Sequence, residues 1–342
     1  MNTLVEVAGD QNQRRRTNLA LLVAVPAAVL TGLFSNTIGR DWAVDPVVIH
    51  AVAGFAVAAM APWKSTIIAR GARRRRPTRW ASYLLLTLVA TTLASGLVHA
   101  TDAATRIGPL TVMQIHVGGG LTALVLMGLH YRSHPVKPKA SDLGRRTFLR
   151  TAGLAGLATA IWAGWEQSLA LADSAGAERR FTGSHERSSF DPSGMPVTQW
   201  FDDRVQRIDS DEWGLDIDGV VYGIDEVADT GLEAVTAILD CTSGWYSEQE
   251  WEGVRLDRLL DQGAARSIEV RSATGYARRF PIRDLDRLWL VTHVGGAPLS
   301  AGHGFPARIV APDRRGFWWV KWVVRIRTSD LPWWAQSPFP LT

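Results

Sequence analysis

Apolar residues fall along this chain in two styles: long unbroken runs first, then short alternating ones. Five runs, near 18–36, 47–63, 80–100, 109–131 and 151–172, approach the roughly 20 residues that a helix needs to cross a bilayer. The second is short and the fifth is the mildest, with Glu166 and Gln167 near its end. Gly- and Ala-rich spans are common in membrane helices, so both read as crossings. From about 197 the pattern changes. "SIEVRSA", "ARIVAP" and "WWVKWVVRIRTSD" are rich in β-branched and aromatic residues and predict strands. "WEGVRLDRLLDQG" and "IRDLDRL" predict short helices. Between the two styles lies "DSAGAERRFTGSHERSSFDPSGMP" (173–196), whose Ser, Gly, Pro and charges predict a linker without packed structure.

The expected fold class is α+β: a five-helix transmembrane bundle of two hairpins plus a tether, then a soluble α+β domain. The expected boundaries are a membrane domain at 1–135, the fifth helix within 136–175, a linker at 176–196 and the soluble domain at 197–342.

Charge sharpens this division. The net charge of +4 conceals +12 over residues 1–150 and −8 over the rest. The basic side chains punctuate the apolar runs, which argues against a nucleic-acid partner. They collect in alternate loops: Arg14 to Arg16, then Lys64, Arg70, Arg73 to Arg76 and Arg79, then Arg132 through Arg150. The intervening loops hold only Arg40 and Arg106. The positive-inside rule places the N-terminus in the cytoplasm. Five crossings would leave the C-terminal domain outside a bacterial cell membrane. The single cysteine, Cys241, excludes an intramolecular disulfide.

The first four runs read as one hairpin used twice. "LTGLFSNTIGRDWAVDPVVIHAVAGF" parallels "LASGLVHATDAATRIGPLTVMQIHVGGG": a small residue and Gly, a short loop, then Ile-His with Gly four residues on. Two such hairpins would bring His50 and His116 to one depth. A pair of imidazoles there suits the axial ligation of one b-type haem, with Gly54 and Gly120 leaving room for the macrocycle. His99 is an alternative ligand. His130, 14 residues beyond His116, has the spacing of a second haem, but its repeat partner is Lys64. The competing reading of these histidines is packing or interfacial anchoring. Ionisable residues inside a membrane nonetheless default to a functional hypothesis.

"SDLGRRTFLRTAGLAGLATAIWAGW" (141–165) pairs Arg145 with Arg146 ahead of the mild fifth run. It reads either as a positive-inside stop or as an internal twin-arginine export signal. The second implies a twin-arginine translocase as partner, exporting a domain folded around its cofactor.

Downstream, Cys241, Gly244-Trp245, "WEGVRL", "HGFPARIVAP" and "WVKW" together resemble the sulfite oxidase-type molybdopterin fold over about 197–330. The resemblance implies that Cys241 ligates molybdenum as a thiolate. It also implies that His303, Arg308 and Lys321 contact the pterin and its phosphate. Thr198 and Trp200 in "VTQWF", Ser243, and Ser272 and Thr274 in "RSATGY" are further cofactor positions. His293, in "THVGG", is expected at the pocket mouth as a substrate or proton-handling group.

Animal and plant members follow the cysteine with a Gly-Asn-Arg-type run. Here Thr242-Ser243-Gly244-Trp245 follows, closer to the bacterial branch that includes a reductase of protein methionine sulfoxide. The implied activity is reduction of an S- or N-oxide by a membrane-anchored molybdenum oxidoreductase. Its electrons would come from the quinone/quinol pool through the haem. The alternatives are a sulfite-type dehydrogenase donating to the haem, a non-catalytic sensor that keeps the fold, and a transporter-like bundle with a soluble cap.

Overall fold

The structure is a computed structural model that describes residues 2–72, 79–133, 135–200, 203–261 and 263–340. The arginine run Arg73–Arg76 and Phe201 of "VTQWF" lie outside the described residues. The chain forms two compact units, divided between Gly183 and Ser184.

The first unit is helical: α1 (Asn2–Thr37), α2 (Val44–Ala59), α3 (Ala61–Ala72), α4 (Arg79–Thr101), α5 (Val112–Ser133) and α6 (Arg145–Leu171). A small hairpin of β1 (Arg106–Ile107) and β2 (Leu110–Thr111) joins α4 to α5. The expected second run of 47–63 ends early, because Pro62 cannot continue α2 and sits instead in the first turn of α3. The helices expose apolar side chains such as Val23, Leu30, Phe34, Val125 and Leu129. Helices that bury little and show hydrocarbon outward are compatible with a membrane anchor.

Among the described residues, four helical stretches are long and apolar enough to cross a membrane: Gln13–Thr37, Asp41–Ala59, Trp80–Thr101 and Val112–Ser133. The expected fifth, α6, is a continuous helix of 27 residues but is not one of the four. Its composition is Ala and Gly rather than Leu, and Glu166 lies on it. That carboxylate is paired with Arg179 at 2.5 Å. α6 packs along α2, with Phe55 and Trp165 rings 6.5 Å apart, and α4 packs along α5.

The second unit holds two sheets. Its elements are β3 (His185–Glu186), β4 (Leu215–Ile217), β5 (Val220–Tyr222), α7 (Ile224–Asp229), β6 (Glu233–Cys241), β7 (Trp245–Arg255) and α8 (Leu256–Leu259). They continue with β8 (Ser267–Ser272), β9 (Ala277–Pro281), β10 (Trp289–Val294), β11 (Ala297–Pro298), β12 (Arg308–Val310) and β13 (Val323–Ser329). One sheet runs β11-β10-β7-β3, with β12 on β10 and β6 on β7; the other runs β5-β4-β13-β8-β9. Trp251, Val254, Leu290 and Ile309 of the first sheet join Leu215, Ile268, Val270 and Ile326 of the second in one buried cluster.

Three sequence expectations need correction here. "WEGVRLDRLLDQG" is mostly the end of β7, and only Leu256–Leu259 turns helical. Trp251 is fully buried on that strand and donates its indole N–H to the Ala237 carbonyl of β6, so cross-strand packing overrides the helical pattern. "WWVKWVVRIRTSD" becomes a strand only from Val323, because the backbone turns at Trp322, whose φ is +53°. The expected linker is packed from Ser184 onward. β3 pairs in parallel with β7, and Ser184, His185 and Met195 are buried. Its polar residues find buried partners, which composition alone does not disclose.

Candidate functional site

Cys241 is the last residue of β6 and lies opposite Trp245, the first of β7. The turn between them closes with the Gly244 N–H donating to the Cys241 carbonyl at 3.1 Å. Gly244 sits at φ +90°, which an L side chain rarely adopts, so the turn is tight only with glycine there. The Ser243 N–H points at Cys241 Sγ, 3.5 Å away.

A cleft of about 660 Å³, including its open mouth, lies over this thiol. Thr198, Trp200, Cys241, Ser272, His303, Arg308 and Lys321, seven of the sequence-predicted positions, line it. Ser243, Thr274 and His293 do not. Ser243 meets the site only through its backbone. Thr274 caps the turn beside Ser272, bonding its hydroxyl at 3.1 Å. His293 lies on β10, paired with Glu252 of β7, and its Nδ1 is engaged by Thr292 Oγ1 at 2.9 Å. It is engaged within its own sheet and is not among the residues that line the cleft.

The floor is cationic and buried. Arg308 is 1% exposed and donates to the carbonyls of His303 and Trp319 at 3.1 and 3.4 Å. Lys321 Nζ donates to the carbonyls of Thr198 and Gly302 at 2.8 and 2.6 Å. Among the described residues neither forms an ion pair, and Arg308 Nε is buried without a partner. Burial pushes Arg308 down to about 9 and Lys321 down to about 7, with Arg308 adding to the drop at Lys321. His303 falls to about 4 through burial and then through its two cationic neighbours. Its Nε2 faces the Met195 carbonyl at 3.1 Å, so it is a neutral donor near pH 7. Two buried cations without ion-pair partners among the described residues, beside a buried thiol, fit an anionic group carrying a soft metal. Gln199 Nε2, another buried donor without a partner, adds to that fit.

Sequence reasoning did not find what holds the cysteine from behind. Arg315 bridges Asp240 Oδ1 at 2.6 Å and the Cys241 carbonyl at 3.1 Å, with both ion-pair side chains 3% exposed. Ser184 Oγ adds a bond to the same carboxylate at 2.7 Å. Asp240 and Arg315 are 75 residues apart, and the adjacency of Asp240 to Cys241 was the only local signal. Tyr276, which lines the cleft and donates its hydroxyl to the Phe317 carbonyl, was also missed.

The helical unit holds a second constellation. The rings of His50 and His116 are 5.6 Å apart, their planes at 87°, and their Nε2 atoms 3.4 Å apart. His50 Nδ1 meets the Ala28 carbonyl at 2.7 Å and His116 Nδ1 meets the Thr92 carbonyl at 2.8 Å. A carbonyl only accepts, so each Nδ1 carries the proton and each Nε2 presents a lone pair to the other. Such a pair is stabilised by a Lewis acid between the two nitrogens. Two metal–nitrogen bonds of about 2 Å require the rings to part by roughly half an ångström. A Cβ at Gly54 or Gly120 would meet only ordinary contacts, at 4.0 and 3.7 Å, so both positions are roomy. His99 Nε2 instead engages the Gly183 carbonyl at 3.0 Å.

The cysteine turn and its cationic cleft form a site suited to an anionic cofactor, and the same part of the chain is similar to known cofactor-binding proteins. Residues 202–336 match the family described as oxidoreductase molybdopterin binding domain. The chain is 30% identical over 108 residues to the mitochondrial sulfite oxidase of Rattus norvegicus, an alignment that takes in 27% of this chain and 20% of the rat protein. It therefore spans about a fifth of that relative's length. Among solved structures, the sulfane dehydrogenase SoxCD of Paracoccus pantotrophus is similar at 23% identity and a TM-score of 0.35, covering 37% of this chain and 40% of that one.

Proposed function

We propose that this chain is a membrane-anchored molybdenum oxidoreductase that reduces an S- or N-oxide. The observation that carries the reading is Cys241 at the wall of a cleft whose cations, Arg308 and Lys321, form no ion pair among the described residues. In it Cys241 holds molybdenum as a thiolate, and bound molybdenum supplies two-electron oxygen-atom transfer. Arg308 grips the pterin phosphate as a rigid fork and Lys321 as a point charge, while His303 donates from a neutral ring. Thr198, Trp200 and Ser272 orient the ring system, and Trp245, Phe317 and Trp319 exclude water from the cleft.

His50 and His116 would hold one b-type haem, which would supply electron transfer between a quinol pool and the C-terminal unit. The four apolar helices support membrane anchoring. With α6 as a fifth crossing, the C-terminal unit lies outside a bacterial cytoplasmic membrane. Arg145 and Arg146, in the first turn of α6, then serve as a twin-arginine export signal.

A sulfite-type dehydrogenase is the second reading, favoured by the similarity to a sulfite oxidase. Against it, the arginine that reaches the Cys241 backbone, Arg315, is already neutralised by Asp240, and no arginine follows in the turn. Purified full-length protein should contain molybdenum, show a b-type absorbance difference on reduction, and turn over sulfoxides or N-oxides with a quinol analogue. Turnover of sulfite alone would favour the second reading, and absence of molybdenum would sink both.

A further inference from the structure

The two histidines are seated in the same way by two different helices, and the seats match position for position. In α1 the run is Ala28, Val29, Leu30, Thr31, Gly32; in α4 it is Thr92, Leu93, Ala94, Ser95, Gly96. The first residue of each run gives its carbonyl to a histidine Nδ1–H. The fourth gives its hydroxyl to that same carbonyl, Thr31 at 3.2 Å and Ser95 at 3.0 Å, with Thr31 also donating to Ala27 at 2.6 Å. The fifth is glycine, one turn after the carbonyl. A Cβ on Gly32 would stand 2.8 Å from His50 Cε1 and Nδ1, and one on Gly96 would stand 2.8 and 3.0 Å from the same atoms of His116. Real Cβ atoms do not come so close. The imidazole fills the missing side chain's place on each helix.

We propose that the Ser/Thr-Gly pairs, Thr31-Gly32 and Ser95-Gly96, form a duplicated clamp that positions the two imidazoles. It does so by fixing which nitrogen carries the proton and by holding the ring planes near perpendicular. The inference rests on the reading that His50 and His116 hold a haem. The carbonyl fixes the tautomer, leaving Nε2 free to ligate, and makes the ring a stronger donor. The glycine lets the ring lie against the helix, which sets its rotation about the Cα–Nε2 direction. The hydroxyl shares the carbonyl and so moderates the donor strength. The four groups are positioning residues and do not themselves touch the metal. The 87° between the planes follows from two like clamps presented by two helices.

The test uses full-length holoprotein. Perpendicular axial imidazoles give ferric haem a highly anisotropic low-spin resonance, whereas parallel ones give a rhombic signal. The anisotropic signal is expected. Gly32→Ala and Gly96→Ala should each move it, raise the haem midpoint potential and weaken haem retention by roughly 10–100-fold. Ser95→Ala, which strengthens the remaining His116 bond, should lower the midpoint. Gly128→Ala, on α5 where an added Cβ meets nothing within 4 Å, should change neither. If either clamp glycine fails to yield protein, the other tests the same claim, and the wild-type resonance tests the ring geometry without any substitution. A rhombic wild-type signal overturns the inference and leaves the haem reading standing. So do glycine variants with the wild-type spectrum and potential. Wild-type protein without haem overturns both.

Discussion

The helical unit and the C-terminal unit each present candidate ligand side chains, but they hold them by opposite means. In the C-terminal unit Cys241 sits at the end of a nine-residue strand, inside a core of two sheets, with a buried ion pair behind it. The donor is rigid because everything around it is packed. In the helical unit few side chains are buried, and His50 and His116 are held by main-chain carbonyls and missing side chains on the facing helices. In water, packing density supplies position. In a bundle whose outside is hydrocarbon, backbone groups and small residues supply it instead. The two halves thus seat their candidate ligands on very different sequence signals.

The contrast can be broken most sharply at the donors. Cys241→Ser should abolish turnover and molybdenum retention while leaving the reduced-minus-oxidised haem spectrum intact. His50→Ala or His116→Ala should do the reverse: loss of the b-type band and of quinol-driven turnover, with dye-driven turnover retained. Simultaneous loss of both activities in every variant would mean that the units do not hold separate sites.

Behind the cysteine, Asp240→Ala strands a guanidinium that is almost wholly buried. Removing one partner of such a pair costs about 3–5 kcal/mol, read as a lowered denaturation midpoint of the C-terminal unit. Asp216→Ala, which breaks the partly exposed pair with Arg327, should cost less than about 1 kcal/mol. Equal losses at the two sites would contradict the claim that Cys241 is braced from within.

Lys321 tests the cationic floor. Its folded value of about 7 lies below its ordinary 10.5, so between them the unfolded chain binds more protons than the folded one. Stability of cofactor-free protein should therefore rise with pH across that window, its penalty fully present below about 7. An anion prefers the charged lysine, so affinity for inorganic phosphate should fall as pH rises through about 7. Lys321→Met should flatten both trends, measured by thermal midpoint and by calorimetric titration. A modest effect is expected at Thr198→Val, which removes the acceptor of the Trp245 indole N–H at 3.2 Å and should cost about 1 kcal/mol.

How much of this was legible beforehand differs between the halves. Long apolar runs announce helices reliably, and four of the five appeared with the length and apolarity of a crossing. The fifth was a helix of weaker apolar character, because Ala and Gly support a helix without making it strongly hydrophobic. The repeat disclosed the histidine pair, since duplication leaves a signal even without known relatives. It hinted at the glycines but not at what they make room for. In the C-terminal unit the "HGFPAR" and "WVKW" blocks carry Arg308 and Lys321 to the cleft with Cys241. What stayed hidden was long-range pairing. Asp240 with Arg315 and Ser184, the parallel strand of His185, and the withdrawal of His293 along β10 all depend on register between distant segments. Local pattern does not encode which strand lies beside which.

The central claim is that one chain carries two separate redox sites, and metal and haem content of the purified full-length protein, measured on wild type and Cys241→Ser together, tests it most directly. The account predicts molybdenum and b-type haem in the wild type, and loss of molybdenum alone in the variant. Wild-type protein holding neither, or a variant that keeps its molybdenum, would contradict it.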